Sequence, residues 1–116
     1  MKTLRKLSDE EIDLLKKNYD VLEFKRDFDL VYESQIPSAG IVFLEGEMQL
    51  LKRKKLRLSL EPGTLLGIKN LLLDEPSHLG CKILGLTKLI LIPRSDIISL
   101  IKDRTSELYR ILKPYH

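Results

Sequence analysis

The first part of the chain places apolar residues at helical spacing behind a helix-start signal. The run Ser8–Glu11 has the form of a capping box, in which the Ser8 hydroxyl accepts from the backbone N–H three residues later and Glu11 reaches back. The apolar stripe that follows consists of Ile12, Leu14 and Leu15. This pattern predicts an amphipathic helix from about Asp9 to Lys17, with Asn18 as its end.

From Asp20 the pattern changes to short apolar runs that are separated by turn residues. Alternation is cleanest at Leu56, Leu58 and Leu60, which is typical of a strand with one buried face. The other clear strands are Ile41–Leu44, which ends at Gly46, then Met48–Leu51, Leu79–Leu84 and Lys88–Ile92, with a turn near Gly85. About seven or eight short strands at this spacing predict a sandwich, a barrel or a jelly roll, covered at one end by terminal helices.

Two helices are predicted after the last strand. Pro93 and Ser95 mark the return to helix, with Ser95 as the N-cap candidate, and a last short helix is expected from about Thr105 to Pro114. Both helices are more apolar than a helix that only covers a surface requires. We therefore expect a homodimer or a helix-docking partner to contact this part of the chain. The candidate contacts are Ile97, Ile101, Tyr109 and Leu112.

The composition is that of a single globular domain. The chain has 116 residues, of which 43% are hydrophobic and 32% charged, a balance that is typical of a soluble protein with one core. Its longest apolar stretches are too short to cross a bilayer, and the charged start Met1–Leu7 lacks the apolar segment of a signal peptide. We therefore expect one domain over residues 1–116, no membrane span and a cytoplasmic location.

Candidate catalytic and metal-binding groups are few. Cys81 is the single cysteine and has no partner for a disulfide or a zinc site, so we interpret it as a small buried apolar residue. The two histidines, His78 and His116, do not form a ligand cluster, which argues against a cupin-type metal enzyme. Because no nucleophile–base–acid constellation is visible either, the sequence predicts a protein that binds and does not catalyse, with no metal and no cofactor.

A dense basic cluster lies at the turn between two predicted strands, which makes it the tip of a hairpin. It consists of Lys52, Arg53, Lys54, Lys55 and Arg57. Such a cluster binds an acidic partner, RNA or a membrane surface, or it forms a solvated tip that discourages edge-to-edge strand pairing, and both interpretations stay open. Because no aromatic residues are interleaved with the cations, stacking on a single nucleic-acid strand is poorly supported.

Three motifs in order resemble the cyclic-nucleotide-binding domain family. They are Leu7–Ile12 as an opening helix, Val42–Met48 as a strand–glycine–strand step, and Glu61–Gly67 as a Pro-Gly turn, followed by a helix start at Pro93–Asp96. The resemblance implies a mainly β fold with flanking helices, a double-stranded β-helix or jelly-roll-like β-roll. It places an N-terminal helix at 7–18, the roll at 20–93 and C-terminal helices at 95–113.

In that family a phosphate-binding cassette follows the glycine. It carries a Glu whose carboxylate accepts a hydrogen bond from the ribose hydroxyl. It also has a short helix whose first N–H groups face the phosphate, and an Arg followed by Ser or Thr. The resemblance places the glycine at Gly67, but it puts Ile68 at the carboxylate position and His78-Leu79 near the Arg-Ser pair. The helix-forming stretch with Lys69 and Asn70 fits the cassette, and Lys69 or Lys82 is a candidate for the missing cation.

Two functions follow from this degenerate cassette. The first is a regulatory or adaptor module that acts through protein–protein contact and does not bind cyclic AMP or cyclic GMP in the usual way. The second is a small-ligand sensor that uses a non-standard cassette, with Lys69, Lys82 or His78 in place of the arginine. No helix-turn-helix follows the roll, so a complete DNA-binding regulator is not expected. An open polar cavity beside Gly67 would favour the sensor, and a cavity filled by Leu and Ile would favour the adaptor.

Overall fold

The computed structural model describes residues 4–115. Met1–Thr3 lie outside the described residues, and they are part of the N-terminal segment that was interpreted as lacking a signal peptide. His116 lies outside the described residues as well. The described elements form one antiparallel sheet with helices at both ends of the chain. Within the described residues, no helix is both long and apolar enough to cross a membrane.

The first helix begins as the sequence predicts. In α1 (Asp9–Asn18), the Ser8 hydroxyl accepts a hydrogen bond from the Glu11 backbone N–H at 3.2 Å, and a Glu11 carboxylate oxygen accepts from the Ser8 N–H at 3.0 Å. Both halves of the capping box are therefore present, and they satisfy donors that a helix start otherwise leaves unpaired. The helix buries Leu15 against the sheet.

Seven described strands form the sheet, and all their pairings are antiparallel. The strands are β1 (Arg5–Lys6), β2 (Leu22–Phe24), β3 (Phe28–Val31), β4 (Ala39–Lys52), β5 (Lys55–Ser59), β6 (Thr64–Leu66) and β7 (Gly80–Pro93). Their order is β1-β6-β4-β7-β2, with β3 also paired to β7 and β5 paired to β4. This is the mainly β roll that the sequence predicts.

The two central strands are longer than predicted. Each of β4 and β7 runs for 14 residues and joins two segments that the sequence analysis had separated at Gly46 and Gly85. Those glycines have φ of +106° and +61°, which bends each strand without ending it. The predicted breaks are therefore wrong, because β4 and β7 stay paired from Ala39–Pro93 to Leu51–Gly80, with register shifts around Glu45.

The predicted hairpin is confirmed. Its turn residues Arg53 and Lys54 have φ of +52° and +66°, so both occupy the left-handed region that a tight two-residue hairpin turn requires. Lys52 and Lys55 face each other across the first pair of the ladder. All five residues of β5 are exposed, so this hairpin arm extends beyond the main body of the core.

Two apolar clusters make up the core. One lies between the sheet and the helices and includes Val42, Leu65 and Ile90, and the other lies inside the roll and includes Phe43, Met48 and Ile83. Leu65 and Leu66 of β6 are adjacent in sequence and enter different clusters, because successive residues of a strand point to opposite faces. The turn that leads into the cassette is therefore held between both clusters.

The C-terminal helices differ from the prediction in two ways. The first, α3 (Arg94–Leu100), begins one residue before Ser95, with Pro93 at its N-cap position and no side-chain cap, so the Ser95 cap is wrong. The last helix begins only at Tyr109, as α4 (Tyr109–Leu112), and a 3₁₀ turn follows at Lys113–Tyr115. Thr105 does not start it, because the Asp103 carboxylate accepts from the Thr105 N–H at 3.1 Å and holds a local turn.

The candidate contact residues of the C-terminal helices are mostly buried, whereas Ile98 of α3 is 38% exposed. Ile97, Ile101 and Leu112 are buried in the cluster between sheet and helices, and Tyr109 is half-buried. A partner was expected because these helices are more apolar than a helix that only covers a surface requires. The chain's own core accounts for the apolar character of the three buried residues, so these residues do not call for a partner. Neither α3 nor α4 presents these three side chains to a partner in this conformation.

Candidate functional site

The cassette scaffold is present. Strand β6 ends at Leu66, Gly67 adopts φ of +87°, and a six-residue helix, α2 (Ile68–Leu73), follows at once. Gly67 is buried, and its positive φ is the conformation that favours glycine at such a sharp strand-to-helix turn. The helix ends at Asp74, which also has a positive φ. The backbone therefore has the strand–glycine–helix form that the resemblance implies.

Ile68, which the resemblance puts at the carboxylate position of the cassette, is a core residue. Ile68 is fully buried in the cluster between sheet and helices. A Cβ placed on Gly40 of β4 would lie 2.4 Å from the Cδ1 of Ile68 and 3.1 Å from the Cδ1 of Ile97. The Ile68 side chain thus packs directly over the bare backbone of Gly40, where a larger residue on β4 would collide with it.

Asn70 serves the loop that follows α2. It is fully buried, its side-chain amide donates to the Pro76 carbonyl at 3.2 Å, and its own backbone carbonyl accepts from the Glu75 N–H at 2.9 Å. These bonds close the loop from Asp74 to Ser77 onto the helix. They satisfy a buried amide that would otherwise be costly, so the contacts of Asn70 within the described structure are those of a loop-holding residue.

The predicted replacements for the Arg-Ser pair do not form a cationic site. His78 is exposed, and its backbone carbonyl accepts from the Nζ of Lys52 at 3.1 Å. Leu79 packs against the cluster inside the roll. Ser77, one residue earlier, is buried, and its backbone N–H donates to the Gln35 carbonyl at 2.8 Å. The segment before β7 is therefore tied to the loop after β3.

The interior of the roll is filled with apolar side chains. The buried members are Val31, Ile41, Phe43, Met48, Leu50, Leu66, Cys81, Ile83 and Leu89. A shallow opening of about 240 Å³ on this side is lined by no ionisable group; its walls are Phe24, Phe28, Leu30, Val31, Ser38, Ala39, Ile41 and Leu91. A phosphate in that opening would meet no charged or strongly donating side chain from its walls.

Lys82 lies away from the cassette. Its neighbours Cys81 and Ile83 are buried inside the roll, so the alternation of β7 turns Lys82 to the opposite, outer face. There it lines a groove of about 700 Å³ together with Arg53 and Lys54 of the hairpin tip. The structure therefore brings together one residue of the predicted cassette and two of the predicted basic cluster, which the sequence analysis had treated separately.

Two acidic residues of this groove were missed by the sequence analysis. Asp29 of β3 pairs with Lys82 across the β3–β7 ladder, and Glu33 accepts a hydrogen bond from the Arg53 backbone N–H through a side-chain oxygen. Both line the groove beside the three cations. Asp29 and Glu33 lie more than 19 positions from Arg53 in the sequence, and no local pattern signals that the chain brings them together.

The burial of Cys81 agrees with its interpretation as a small buried residue. Burial raises the pKa of the Cys81 thiol to about 12, and the nearby Asp29 carboxylate adds to that rise. The thiol is therefore protonated and unreactive at neutral pH. Among residues 4–115, no three His, Cys, Asp or Glu side chains are grouped so as to hold a metal ion.

Comparison with known proteins identifies the fold. No protein-family model matches the sequence, and no curated protein matches it. A structure from work on a cyclic-GMP-dependent signalling pathway that regulates bacterial phytopathogenesis is similar with a TM-score of 0.74 and 19% identity, covering 94% of this chain and 90% of that one.

Two further structures extend the comparison. The Thermus thermophilus catabolite activator protein has a TM-score of 0.66 and 22% identity, covering 83% of this chain and 47% of its own. A cAMP-bound PfPKA-R has a TM-score of 0.65 and 15% identity, covering 94% of this chain and 39% of its own. This chain spans half or less of these two proteins. Its described residues have the fold of cyclic-nucleotide-binding domains, an antiparallel β-roll with helices at both ends.

Proposed function

We propose that the chain is a non-enzymatic regulatory or adaptor module, which keeps the cyclic-nucleotide-binding fold and acts through protein–protein contact. In this proposal it does not bind cyclic AMP or cyclic GMP in the usual way. The observation that carries the proposal is the full burial of Ile68 over Gly40, at a position where the resemblance implies a carboxylate.

The chemistry of a cyclic nucleotide explains why this position matters. A ribose hydroxyl needs an acceptor and a cyclic phosphate needs a cation or several N–H donors, and an apolar wall supplies neither. Moving Ile68 out of the core to make room would give up about 1.5–3 kcal/mol of apolar burial. His78 is exposed and Lys82 faces the outer groove, so neither offers its charge to the interior of the roll.

The non-enzymatic part of the proposal rests on the residues that could react. The Cys81 thiol is buried and protonated at neutral pH, and the described residues hold no metal-ligand cluster. The protein-contact part rests on the basic hairpin, whose arm extends beyond the core and carries exposed Leu56 and Leu58. A contact of this kind leaves the packed interior unchanged.

Isothermal titration calorimetry of the full chain with cyclic AMP and with cyclic GMP tests the proposal. We expect no binding heat for either nucleotide under conditions in which a catabolite activator protein, used as the positive control, titrates normally. Micromolar binding of either nucleotide would contradict the proposal, since about −8 kcal/mol of binding free energy requires contacts that the described cassette does not offer.

A nucleotide sensor with a non-standard cassette is the second candidate. The observation that favours it is the kept strand–glycine–helix scaffold, together with the likeness to a cAMP-bound protein and to one from a cyclic-GMP-dependent pathway. Lys69, half-buried on α2, is the remaining candidate cation near Gly67. A thermal-shift panel of nucleotides that includes cyclic dinucleotides separates the two candidates, because a true ligand stabilises the fold by RT ln(1 + [L]/Kd) and so raises the melting temperature as its concentration exceeds Kd.

A further inference from the structure

We propose that the outer face of the β4–β5 hairpin is a docking groove for an extended acidic peptide segment that also carries apolar residues. The hairpin groove is lined by Asp29, Val31, Tyr32, Glu33, Leu51, Arg53, Lys54, Gly80 and Lys82. This inference rests on the proposed function, because it names the surface and the class of partner for the protein–protein contact.

Gly80 gives the groove its depth. It pairs with Leu51 in the β4–β7 ladder, and without a side chain it leaves the space between Val31 and Leu51 open. A Cβ built on Gly80 would meet nothing closer than the Val31 carbonyl oxygen at 3.4 Å, and the backbone of Gly80 is not in the left-handed region. A Cβ at this position is therefore accommodated without a collision, and a longer side chain would extend into the groove.

The apolar part of the surface comes from β4, from β5 and from Tyr32, which follows β3. Leu51 lies directly opposite Leu56 in the ladder, so both side chains stand on the same outer face. Leu56 is 55% exposed and Tyr32 is 64% exposed, which is high for side chains of this size. Their exposure beside a groove marks a surface on which apolar side chains of a partner would be buried.

The charges of the groove select the partner. Arg53, Lys54 and Lys82 outnumber Asp29 and Glu33, and the other cations of the tip extend the positive field along the hairpin. An acidic partner is therefore attracted. The two carboxylates at the same surface repel a uniformly negative partner such as RNA or an anionic membrane. A peptide can instead place its carboxylates beside the cations and its neutral residues beside Asp29 and Glu33.

The free edge of β5 favours an extended partner. Among the described strands, β5 pairs only with β4, so its other edge offers backbone donors and acceptors. A peptide that adds to this edge gains main-chain hydrogen bonds on the side of β5 away from the groove, one strand from the Leu51 wall. A second copy of this chain would bring the cations Lys55 and Arg57 of one edge close to the same cations of the other, and like charges across a strand pair are destabilising.

The test is a nuclear magnetic resonance titration of the full ¹⁵N-labelled chain. The probe is a short peptide that alternates Glu with Val, and the matched probes are the same peptide with Lys for Glu, a polyuridine oligonucleotide and vesicles of mixed phosphatidylcholine and phosphatidylserine. We expect saturable shifts from the acidic peptide, confined to the amides of Gly80, Lys82 and β5, at peptide concentrations up to ~1 mM. The basic peptide should cause none.

Two variants remove the groove's recognition without breaking its fold. The double substitution Arg53→Asn and Lys54→Gly removes two cations and places Asn-Gly, the favoured pair for this turn, at the two positive-φ sites. Gly80→Leu fills the groove. We expect each to weaken acidic-peptide binding by about tenfold or more, with unchanged or higher melting temperature for the turn variant. The matched control, Lys102→Gln with Arg104→Gln, removes two exposed cations elsewhere and should change binding by less than about twofold.

Three results would overturn the inference: no shifts from the acidic peptide, equal weakening by the control variant, or stronger binding of the oligonucleotide or the vesicles at the hairpin. None of these outcomes requires cyclic-nucleotide binding. If the peptide does not bind at the groove and calorimetry shows no cyclic-nucleotide binding, only this docking surface is rejected. If calorimetry shows cyclic-nucleotide binding, the proposed function is rejected, and the peptide titration is judged separately.

Discussion

At the scale of single residues, one methyl group determines how α2 sits on the sheet. The Cδ1 of Ile68 occupies the space that a Cβ on Gly40 would need, and the two residues are complementary in size. Glycine at position 40 leaves the space that the Ile68 Cδ1 fills. Protein interiors are packed to crystal density, so a void or an extra carbon at this contact would cost stability.

A double-mutant cycle tests this complementarity. Gly40→Ala should lower the free energy of unfolding by about 1–3 kcal/mol through overpacking, and Ile68→Val, which removes the Cδ1, by about 0.5–1.5 kcal/mol. Because the valine makes room for the alanine, the double variant should be more stable than the sum of the single effects, as measured by urea unfolding. Strictly additive losses would show that the two side chains do not meet.

Glu11 provides a pH-dependent prediction at the same scale. Burial by itself raises the pKa of this carboxyl, but hydrogen bonds from Ser8 and the charge of Arg5, 2.7 Å away, outweigh burial and lower the pKa below its ordinary value of 4.5. A carboxyl whose pKa is lower in the folded state stabilises the fold above its unfolded pKa, and that stability is lost as the pH falls through the folded pKa.

Glu11→Gln should therefore lower the free energy of unfolding at pH 7, and the difference from the unmodified chain should shrink as the pH falls below about 4. The matched control is Glu10→Gln, which alters an exposed carboxylate 3.8 Å from Arg110 and should change stability little. Urea unfolding across this pH range measures both. A deficit of Glu11→Gln that is the same at pH 3 and pH 7 would contradict the assigned ion pair and hydrogen bonds.

At the scale of elements, the long strands β4 and β7 depend on two glycines that share a left-handed conformation but differ in their surroundings. A Cβ on Gly46 would lie 2.4 Å from the Leu86 carbonyl oxygen and 2.7 Å from the Thr87 Cα, both of them backbone atoms that cannot move aside. A Cβ on Gly85 would meet nothing within 4 Å. The same substitution at the two sites thus separates backbone strain from steric collision.

Gly85→Ala should cost about 1–2 kcal/mol of unfolding free energy, which is the left-handed penalty alone. Gly46→Ala should cost clearly more, because the collision with the facing strand adds to that penalty. Thermal or urea unfolding of the two variants side by side gives the comparison. Equal losses would mean that β4 and β7 do not cross as closely at Gly46 as the fold requires.

A partly buried hydrogen bond joins the end of α1 to α3. The Tyr19 hydroxyl, just after α1, donates to an Asp96 carboxylate oxygen of α3 at 2.7 Å, and burial together with that carboxylate raises the pKa of the tyrosine. Tyr19→Phe should lower the free energy of unfolding by about 1.5–3 kcal/mol, as expected for a hydrogen bond to a charged group. A variant as stable as the unmodified chain in urea would show that water replaces the bond at no cost.

At the scale of the whole molecule, the sequence was most informative where local signals agree with the fold. The capping box at Ser8, the basic hairpin turn and the glycine turn before α2 each depend on near neighbours, and the structure contains all three. The motif order is consistent with the β-roll of cyclic-nucleotide-binding domains, which the structural comparison confirms as the fold.

Features that depend on distant residues could not be predicted. Gly46 looks like a strand break in the sequence, but pairing with β7 continues on both sides of it, with register shifts between Phe43 and Glu47. Lys82 was assigned to the cassette by its distance along the chain, whereas the alternation of β7 sends it to the hairpin groove. Likewise, no local pattern signals that Gly40 packs against Ile68, and only the packed structure reveals that contact.

The central claim is that the cassette backbone is kept while the space for a cyclic nucleotide is filled. The most direct measurement is a ¹⁵N amide titration of the full chain with cyclic GMP and cyclic AMP up to ~1 mM, a range that also detects weak binding. We expect the amides of Gly67, Ile68 and Lys69 to stay in place throughout. Saturable shifts confined to those three amides would contradict the claim, because they would place a nucleotide at the turn where Ile68 is buried.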